Sequence, residues 1–395
     1  MGIGKRLYYI DWLRVIAFLL LIFYHTGMFF VPWDFHFKNN ETSELFELWM
    51  VPLSQFRLPL LFIISGMGVF FAINSRKSFS FINERSTRLM LPLIFGMFVI
   101  IPPQIYFERL TQNVHYNNYF QFWGTVFEMV PYPEGGSFSW HHLWYLLYIF
   151  VYSLITLPLL NYLKKDSSAN FKEKISMFFL KPGRIYFLGL PLLITYYSIS
   201  PFFPTTHSLW GDWYNLTFSF LFFLYGIIII SVKDFWNIIE RQRKLSLIIA
   251  AVPFAFLWLF VWGPTFSIMT ENTVEFFFLY GFLKTTFIIC WLLAVLGYSR
   301  LLLNKSNKFL RYATDAVYPF YILHQSIMLS FGYHILQWRA GILPKFIAVV
   351  IVTFGGSLIV YELFIKRFNV MRVLFGIKPK KQISKINTMP KTETE

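Results

Sequence analysis

Ten segments of the chain are apolar over a length sufficient to cross a lipid bilayer, and this pattern constrains the fold more than any other feature. A helix needs about 20 apolar residues to span the hydrocarbon core. The sequence is 56% hydrophobic and only 14% charged, whereas soluble domains carry about 25% charged residues. We therefore predict an all-α, polytopic integral membrane protein. Its ten transmembrane helices are expected at about 8–30, 52–73, 88–107, 142–162, 185–203, 213–232, 245–263, 274–298, 316–336 and 343–365.

Lysines and arginines alternate between basic and nearly neutral loops along the chain. Of the 35 basic residues, 28 lie in the N-terminus, in every second loop and in the C-terminal tail, while four lie in the other loops. The remaining three, Arg14, Arg57 and Lys284, lie inside predicted spans. Cytoplasmic loops of membrane proteins are enriched in Lys and Arg, so we predict that both termini are cytoplasmic. The expected location is the cell inner (plasma) membrane, as a multi-pass protein.

The net charge of +15 follows from this distribution. It indicates topology and attraction to the anionic head groups of the lipid bilayer, and not nucleic-acid binding. Cys290 is the only cysteine, which excludes an intrachain disulfide and a thiolate metal site. We expect a single transmembrane domain at 1–375, followed by a disordered cytoplasmic tail at 376–395 that is polar and lacks an apolar face.

The first span, LYYIDWLRVIAFLLLIFYHTGMFF, contains Asp11, Arg14 and His25. An ionised group near the bilayer centre costs about 3 kcal/mol on insertion scales. Asp11 and Arg14 are one turn apart, and the spacing from Arg14 to His25 places both on one helix face about 16 Å apart. One interpretation is a polar stripe facing a cavity, with a cation at one depth and a proton-accepting histidine at another. The other is that the first two are interfacial charges and His25 is a satisfied buried histidine.

Arginines in the next two spans allow two interpretations each. Arg57 lies near the outer end of the second span, and it either snorkels to the interface or turns into the same cavity as His25. Arg85 and Arg88, one turn apart at the cytoplasmic mouth of the third span, either hold a phosphorylated ligand or form a basic flank. Gly66 in the second span permits a close approach of another helix.

The longest outer loop, 108–141, is rich in aromatic residues, which include Trp123, Tyr132 and Trp140. These side chains either line a sugar-binding surface or form an interfacial aromatic belt. In the ninth span His324 lies near mid-depth. Together with His25 it suggests a metal site, but a third Cys, His or carboxylate is missing from their sequence neighbourhoods. We therefore expect no metal.

Several motifs, taken in order, resemble the type-three integral-membrane acyltransferase family, and within it the periplasmic glucan succinyltransferases. The first is DWLRVIAFLLLIFYH, in which Arg14 and His25 match the Arg and His that the family spaces ten intervening residues apart. The others are FRLPLLFIISG, ERSTRLMLP, HHLWYLL, YPFYILHQ and YELFIKRFNVMRVLFGIKP. Their order and spacing extend the resemblance over nearly the whole chain.

The resemblance implies a membrane-bound O-acyltransferase that moves an acyl group, of the acetyl or succinyl type, from a cytoplasmic acyl-CoA to a hydroxyl of an extracytoplasmic glycan. His25 and Arg14 would be catalytic, and no cofactor is expected beyond acyl-CoA as the donor substrate. The residues expected to bind donor or substrate are Asp11, Arg57, Arg85, Arg88, Trp144 and His324. The alternative is a transporter or flippase for an anionic or glycan substrate, which would use the same polar stripe as a translocation path.

Overall fold

The computed structural model of the protein describes residues 6–263 and 273–380, and the regular elements in this part of the chain are helices. Most of the predicted tail 376–395 lies outside the described residues. In chain order the helices are α1 Tyr8–Gly27, α2 Glu44–Asn74, α3 Ser78–Thr111, α4 Tyr119–Gly124, α5 His141–Ile155, α6 Leu157–Leu163, α7 Asp166–Leu180, α8 Arg184–Ile199, α9 Trp213–Ser231, α10 Phe235–Phe260, α11 Val274–Leu302, α12 Lys308–Ile335, α13 Ile342–Ile365 and α14 Asn369–Leu374. The predicted all-α fold is confirmed.

Seven of the described helices are long and apolar enough to cross a membrane. The number of membrane spans rises to as many as nine if each of two bent helix pairs also forms one span. The pairs are α5 with α6, bent by 55°, and α7 with α8, bent by 116°. The predicted span at 316–336 lies in α12, a helix of 28 residues that is not among the nine. Its buried His324, Gln325 and Ser326 explain this, since polar side chains lower the mean hydropathy of a helix.

Loops and helix ends that the basic-residue pattern assigns to one side contact one another. On the predicted inner side, Trp12 Nε1 donates to the carbonyl oxygen of Lys305 at 2.9 Å, and Lys164 Nζ donates to that of Arg76 at 2.8 Å. On the predicted outer side, Trp140 Nε1 donates to the carbonyl oxygen of His207 at 3.0 Å, and Lys345 Nζ donates to Asn39 Oδ1 at 2.8 Å. These contacts support the alternation of sides, whereas the cytoplasmic location of the termini stays a prediction.

Helix α1 packs against α2, α12 and α13, so the polar stripe faces protein. Helices α2 and α9 cross at two glycines: a Cβ on Gly66 would lie 2.0 Å from the carbonyl oxygen of Phe223, and one on Gly226 would lie 2.0 Å from that of Ile63. Small residues allow backbones to approach in this way within membranes. The expected close approach at Gly66 is thus present, and it fixes the position of α2, which packs against α1.

Two π-helical turns, Ser86–Met90 and Gly96–Ile100, interrupt α3. Just beyond them, Pro102 has no N–H to donate to the carbonyl oxygen of Phe98, one turn earlier. Trp123 Nε1, from the outer loop, donates to this oxygen instead at 2.7 Å. Trp123 therefore anchors the outer loop on α3. This structural contact accounts for a tryptophan at this position, so a role in sugar binding is not needed to explain it.

Candidate functional site

Two cavities enter the helix bundle from the two sides. The basic cavity, of about 400 Å³, lies on the predicted inner side and is lined by Arg14, Arg85 and Arg88. The histidine cavity, of about 820 Å³, lies on the predicted outer side and is lined by His25 and four other histidines, His36, His141, His142 and His207. Leu61 and Tyr145 line both cavities, so they form the partition between them. The polar stripe of α1 thus has one end in each cavity.

Among the residues that the structure describes, five cationic side chains and one carboxylate line the basic cavity: Arg14, Arg76, Arg85, Arg88, Lys378 and Glu84. Glu84 lies 3.2 Å from Arg88, 3.7 Å from Arg85 and 3.9 Å from Arg76. One carboxylate cannot neutralise this many cations, so the cavity has a surplus of positive charge. Guanidinium groups with such a surplus suit the binding of phosphate or carboxylate groups.

Asp11 lies beside the basic cavity and is not part of its lining. Its carboxylate accepts a hydrogen bond from Arg6 Nε at 2.7 Å, and its other oxygen lies 3.9 Å from Arg14 Nη1. The hydrogen bond from Arg6 is the stronger of the two contacts, and it raises the pKa of Arg6 above its ordinary value. Asp11 therefore orients Arg14 only weakly, and its carboxylate is engaged mainly at the end of α1.

His25 and His324 form a hydrogen-bonded pair at the inner end of the histidine cavity. His324 is fully buried, and its Nδ1 donates to the carbonyl oxygen of Tyr321 at 2.7 Å. With its proton on Nδ1, His324 has a lone pair on Nε2, which lies 3.2 Å from His25 Nδ1. His25 Nδ1 must then be the donor, and Nε2 of His25 is left as a proton acceptor. The network thus sets the tautomer that a general base requires.

Arg57 lines the same cavity as His25. Of the two interpretations of this arginine, the structure thus agrees with the one in which its side chain turns into that cavity, and not with snorkelling to the interface. Its side chain is buried, and its guanidinium carbon lies 3.5 Å from the ring centre of Tyr24. Its Nε and Nη1 atoms have no hydrogen-bond partner among the residues that the structure describes. Unpaired donors of a buried cation next to a base are suited to hold an oxyanion.

Trp144 and His207 form a stacked aromatic pair on another wall of the histidine cavity, with ring centres 4.5 Å apart and an angle of 29° between the planes. Tyr132 and Trp140 from the outer loop also line this cavity. Burial lowers the pKa of His207 below its ordinary value, so this ring is neutral at neutral pH. The aromatic residues of the outer loop therefore face a cavity in two of the three cases considered, and Trp123 is the exception.

The sequence reasoning missed His36 and Glu108. They are 72 positions apart in the chain, and His36 Nδ1 makes a short contact with Glu108 Oε2. The hydroxyl of Tyr132 donates to Glu108 Oε1 at 2.5 Å. Burial and this hydrogen bond raise the pKa of Tyr132, which keeps its hydroxyl a donor. In the sequence, Glu108 could be recognised only as a charged residue at the predicted start of an outer loop.

The helical bundle and its two cavities define a multi-pass membrane protein with a buried polar centre. The chain belongs to the acyltransferase-3 family, whose sequence profile, described as an acyltransferase domain, matches residues 7–362. It is therefore an acyltransferase, and the resemblance of its motifs is confirmed. Similar proteins include the glucans biosynthesis protein C of Salmonella paratyphi B, Salmonella heidelberg and Salmonella typhi. Each is 21% identical over 393 residues, which covers 95% of this chain and 96% of the relative.

Proposed function

We propose that the protein transfers an acyl group from a cytoplasmic acyl-CoA to a hydroxyl group of an extracytoplasmic glycan, in the inner membrane of the cell. The observation that carries the proposal is the His25–His324 pair, which leaves a proton acceptor facing one cavity while the arginines line the other. A transporter needs a continuous path for its substrate, whereas a transferase needs only a point where two substrates meet.

On the donor side, the basic cavity offers Arg14, Arg85 and Arg88 to the phosphate groups of an acyl-CoA. Guanidinium groups bind phosphates with paired hydrogen bonds. Arg14 and His25 are about 16 Å apart along α1, a distance that the extended arm between the phosphates and the thioester of an acyl-CoA would have to cover. The acyl group would pass the partition at Leu61 and Tyr145 while the phosphates remain among the arginines.

On the acceptor side, the histidine cavity combines aromatic faces with polar groups, as sugar-binding sites do. Trp140, Trp144 and Tyr132 line it. The name of the related glucans biosynthesis protein C supports a glycan as the acceptor. Specific hydrogen bonds with a sugar would come from the polar side chains of the same cavity.

In the transfer step, Nε2 of His25 takes the proton of the acceptor hydroxyl as its oxygen attacks the thioester carbonyl carbon. The carbonyl oxygen becomes an oxyanion, which the unpaired donors of Arg57 stabilise. The carbon–sulfur bond then breaks, and the proton passes from His25 to the thiolate of CoA. The products are an ester of the glycan and free CoA.

The test is release of free CoA and acylation of glycan by purified protein in liposomes that are supplied with radiolabelled acyl-CoA and cell-envelope glycan. General-base catalysis contributes about 10²–10⁴-fold, so His25→Gln should lose at least about a hundredfold in rate. His334→Gln is the matched control, because His334 is exposed at the end of α12. Wild-type protein that releases no CoA from acetyl-CoA or succinyl-CoA, or His25→Gln that keeps the wild-type rate, would overturn the proposal.

A further inference from the structure

His36 and His141 line the histidine cavity, and together with Glu108 beside it they form a cluster of possible metal ligands. One ligand atom from each residue can be chosen so that all lie within 4.8 Å of one another, and no other such group of three occurs among the described residues. The rings of His36 and His141 are stacked, with centres 5.0 Å apart and 19° between their planes. Two imidazoles and one carboxylate are the donor set of many zinc sites.

A second layer of hydrogen bonds holds each of these three side chains. Ser139 Oγ lies 2.6 Å from His141 Nδ1. The side-chain amide of Gln325 lies 3.0 Å from His36 Nε2, and its oxygen, which has no partner among the described residues, can accept the Nε2–H of a ring that binds a metal through Nδ1. The hydroxyl of Tyr132 donates to Oε1 of Glu108. In metal sites such partners fix the orientation of ligands and are worth about 10- to 100-fold in affinity. Residues that merely fill a cavity do not need them.

One atom in the cluster is left without a hydrogen bond. Nε2 of His141 is buried and has no partner in the part of the chain that the structure describes. A buried polar atom without a partner costs about 1–3 kcal/mol. Since Nδ1 of the same ring is engaged by Ser139, Nε2 is the nitrogen available for a metal ion.

We propose that His36, Glu108 and His141 bind a divalent transition-metal ion of the Zn²⁺ type. Metal–ligand bonds of about 2.0–2.1 Å in tetrahedral geometry place ligand atoms about 3.3 Å apart. Side-chain shifts of about 1 Å would bring the three ligand atoms to this separation. The ion would replace the proton between His36 and Glu108 and separate the two groups.

Three protein ligands leave the fourth position of a tetrahedral ion open, as in catalytic zinc sites. His36 and His141 line the same cavity as His25, so the open position of the ion is offered to an oxygen atom of a substrate bound there. Imidazole ligands favour Zn²⁺, Cu²⁺ and Ni²⁺ over Mg²⁺ and Ca²⁺. The chain therefore pairs the predicted base with a separate electrophilic site in one cavity.

The test is metal binding, which does not depend on acyl transfer. Purified protein is stripped with a chelator and titrated with Zn²⁺ alone, in competition with a chromophoric chelator, and its metal content is measured after gel filtration. We expect one Zn²⁺ per chain and a higher melting temperature with the ion. Glu108→Gln and His141→Phe, which keep size and ring stacking, should bind at least about tenfold more weakly, and Ser139→Ala about 10- to 100-fold more weakly.

His207→Phe is the matched control, since His207 lies in the same cavity outside the cluster and should leave the affinity for Zn²⁺ unchanged. If His141→Phe fails to fold, Glu108→Gln and Ser139→Ala decide the question. Wild-type protein that retains no Zn²⁺ would overturn the proposal. Equal affinity in wild type, Glu108→Gln and Ser139→Ala would overturn it as well, because the ion would then bind elsewhere.

Discussion

Replacement of His324 tests whether its hydrogen bond sets the tautomer of His25. In His324→Leu the Nδ1–H of His25 loses the acceptor that lies 3.2 Å away. An unpaired buried donor costs about 1–3 kcal/mol, and since about 1.4 kcal/mol corresponds to a factor of ten, the rate of acyl transfer should fall by about 5- to 150-fold. His324→Gln offers an amide oxygen in place of the imidazole nitrogen and should lose no more than about tenfold, the worth of one neutral hydrogen bond.

The assay is steady-state acyl transfer with matched amounts of protein, with kcat and the donor KM determined separately. Only kcat should fall among the kinetic constants, because the arginines that line the basic cavity are unchanged. The melting temperature should fall more in His324→Leu than in His324→Gln, since the unpaired buried donor also costs folding free energy. A wild-type kcat in His324→Leu would refute the tautomer argument. Equal losses in the Leu and Gln variants would show that His324 acts through packing and not through its hydrogen bond.

Three further predictions follow from the helix bundle and the basic cavity. Arg14→Lys should raise the donor KM at unchanged protein level, because an ammonium cannot reproduce the paired hydrogen bonds of a guanidinium; unchanged donor binding would assign Arg14 to folding. Gly66→Ala or Gly226→Ala should destabilise the protein by about 1–3 kcal/mol, measured by thermal unfolding in detergent, because each Cβ meets a backbone oxygen; wild-type stability would contradict the close crossing. Single cysteines in a Cys290→Ser background should be labelled from outside at Asn118 and Thr206 and from the cytoplasm at Ser167 and Ser306, four exposed positions, and one residue on the wrong side would break the predicted topology.

The architecture was largely predictable because it depends on local composition. Apolar length predicted the all-α fold, although the predicted span at 316–336 is not among the described helices that are apolar enough to cross a membrane. Segments that the basic residues predict to share a side do contact one another. The polar stripe of α1 was also predictable, since one helix fixes the relative positions of Arg14 and His25. Lys284 lies inside a predicted span, and its ammonium lies 5.6 Å from the ring centre of Tyr280.

Contacts between distant segments were not predictable. The sequence places Arg14 and Arg85 on different helices, and only the three-dimensional structure shows that they line one cavity. The pairing of His25 with His324 joins residues 299 positions apart. The sequence suggests His324 as a residue that binds donor or substrate and as a weak metal ligand, and not as the hydrogen-bond partner of His25. His36 carries no periodic or motif signal because it lies in a loop, where its position depends on tertiary contacts.

The thin partition between the two cavities has an electrical consequence. If water fills both cavities, the membrane voltage falls mainly across Leu61 and Tyr145, where the Tyr145 hydroxyl donates to the Leu61 carbonyl oxygen at 3.0 Å. Moving one elementary charge through 100 mV involves about 2.3 kcal/mol. A neutral acyl group could cross this barrier without electrical work, whereas each charge on a phosphate could not. Such a partition would let the cell modify material outside the membrane while the ion gradient across it is conserved.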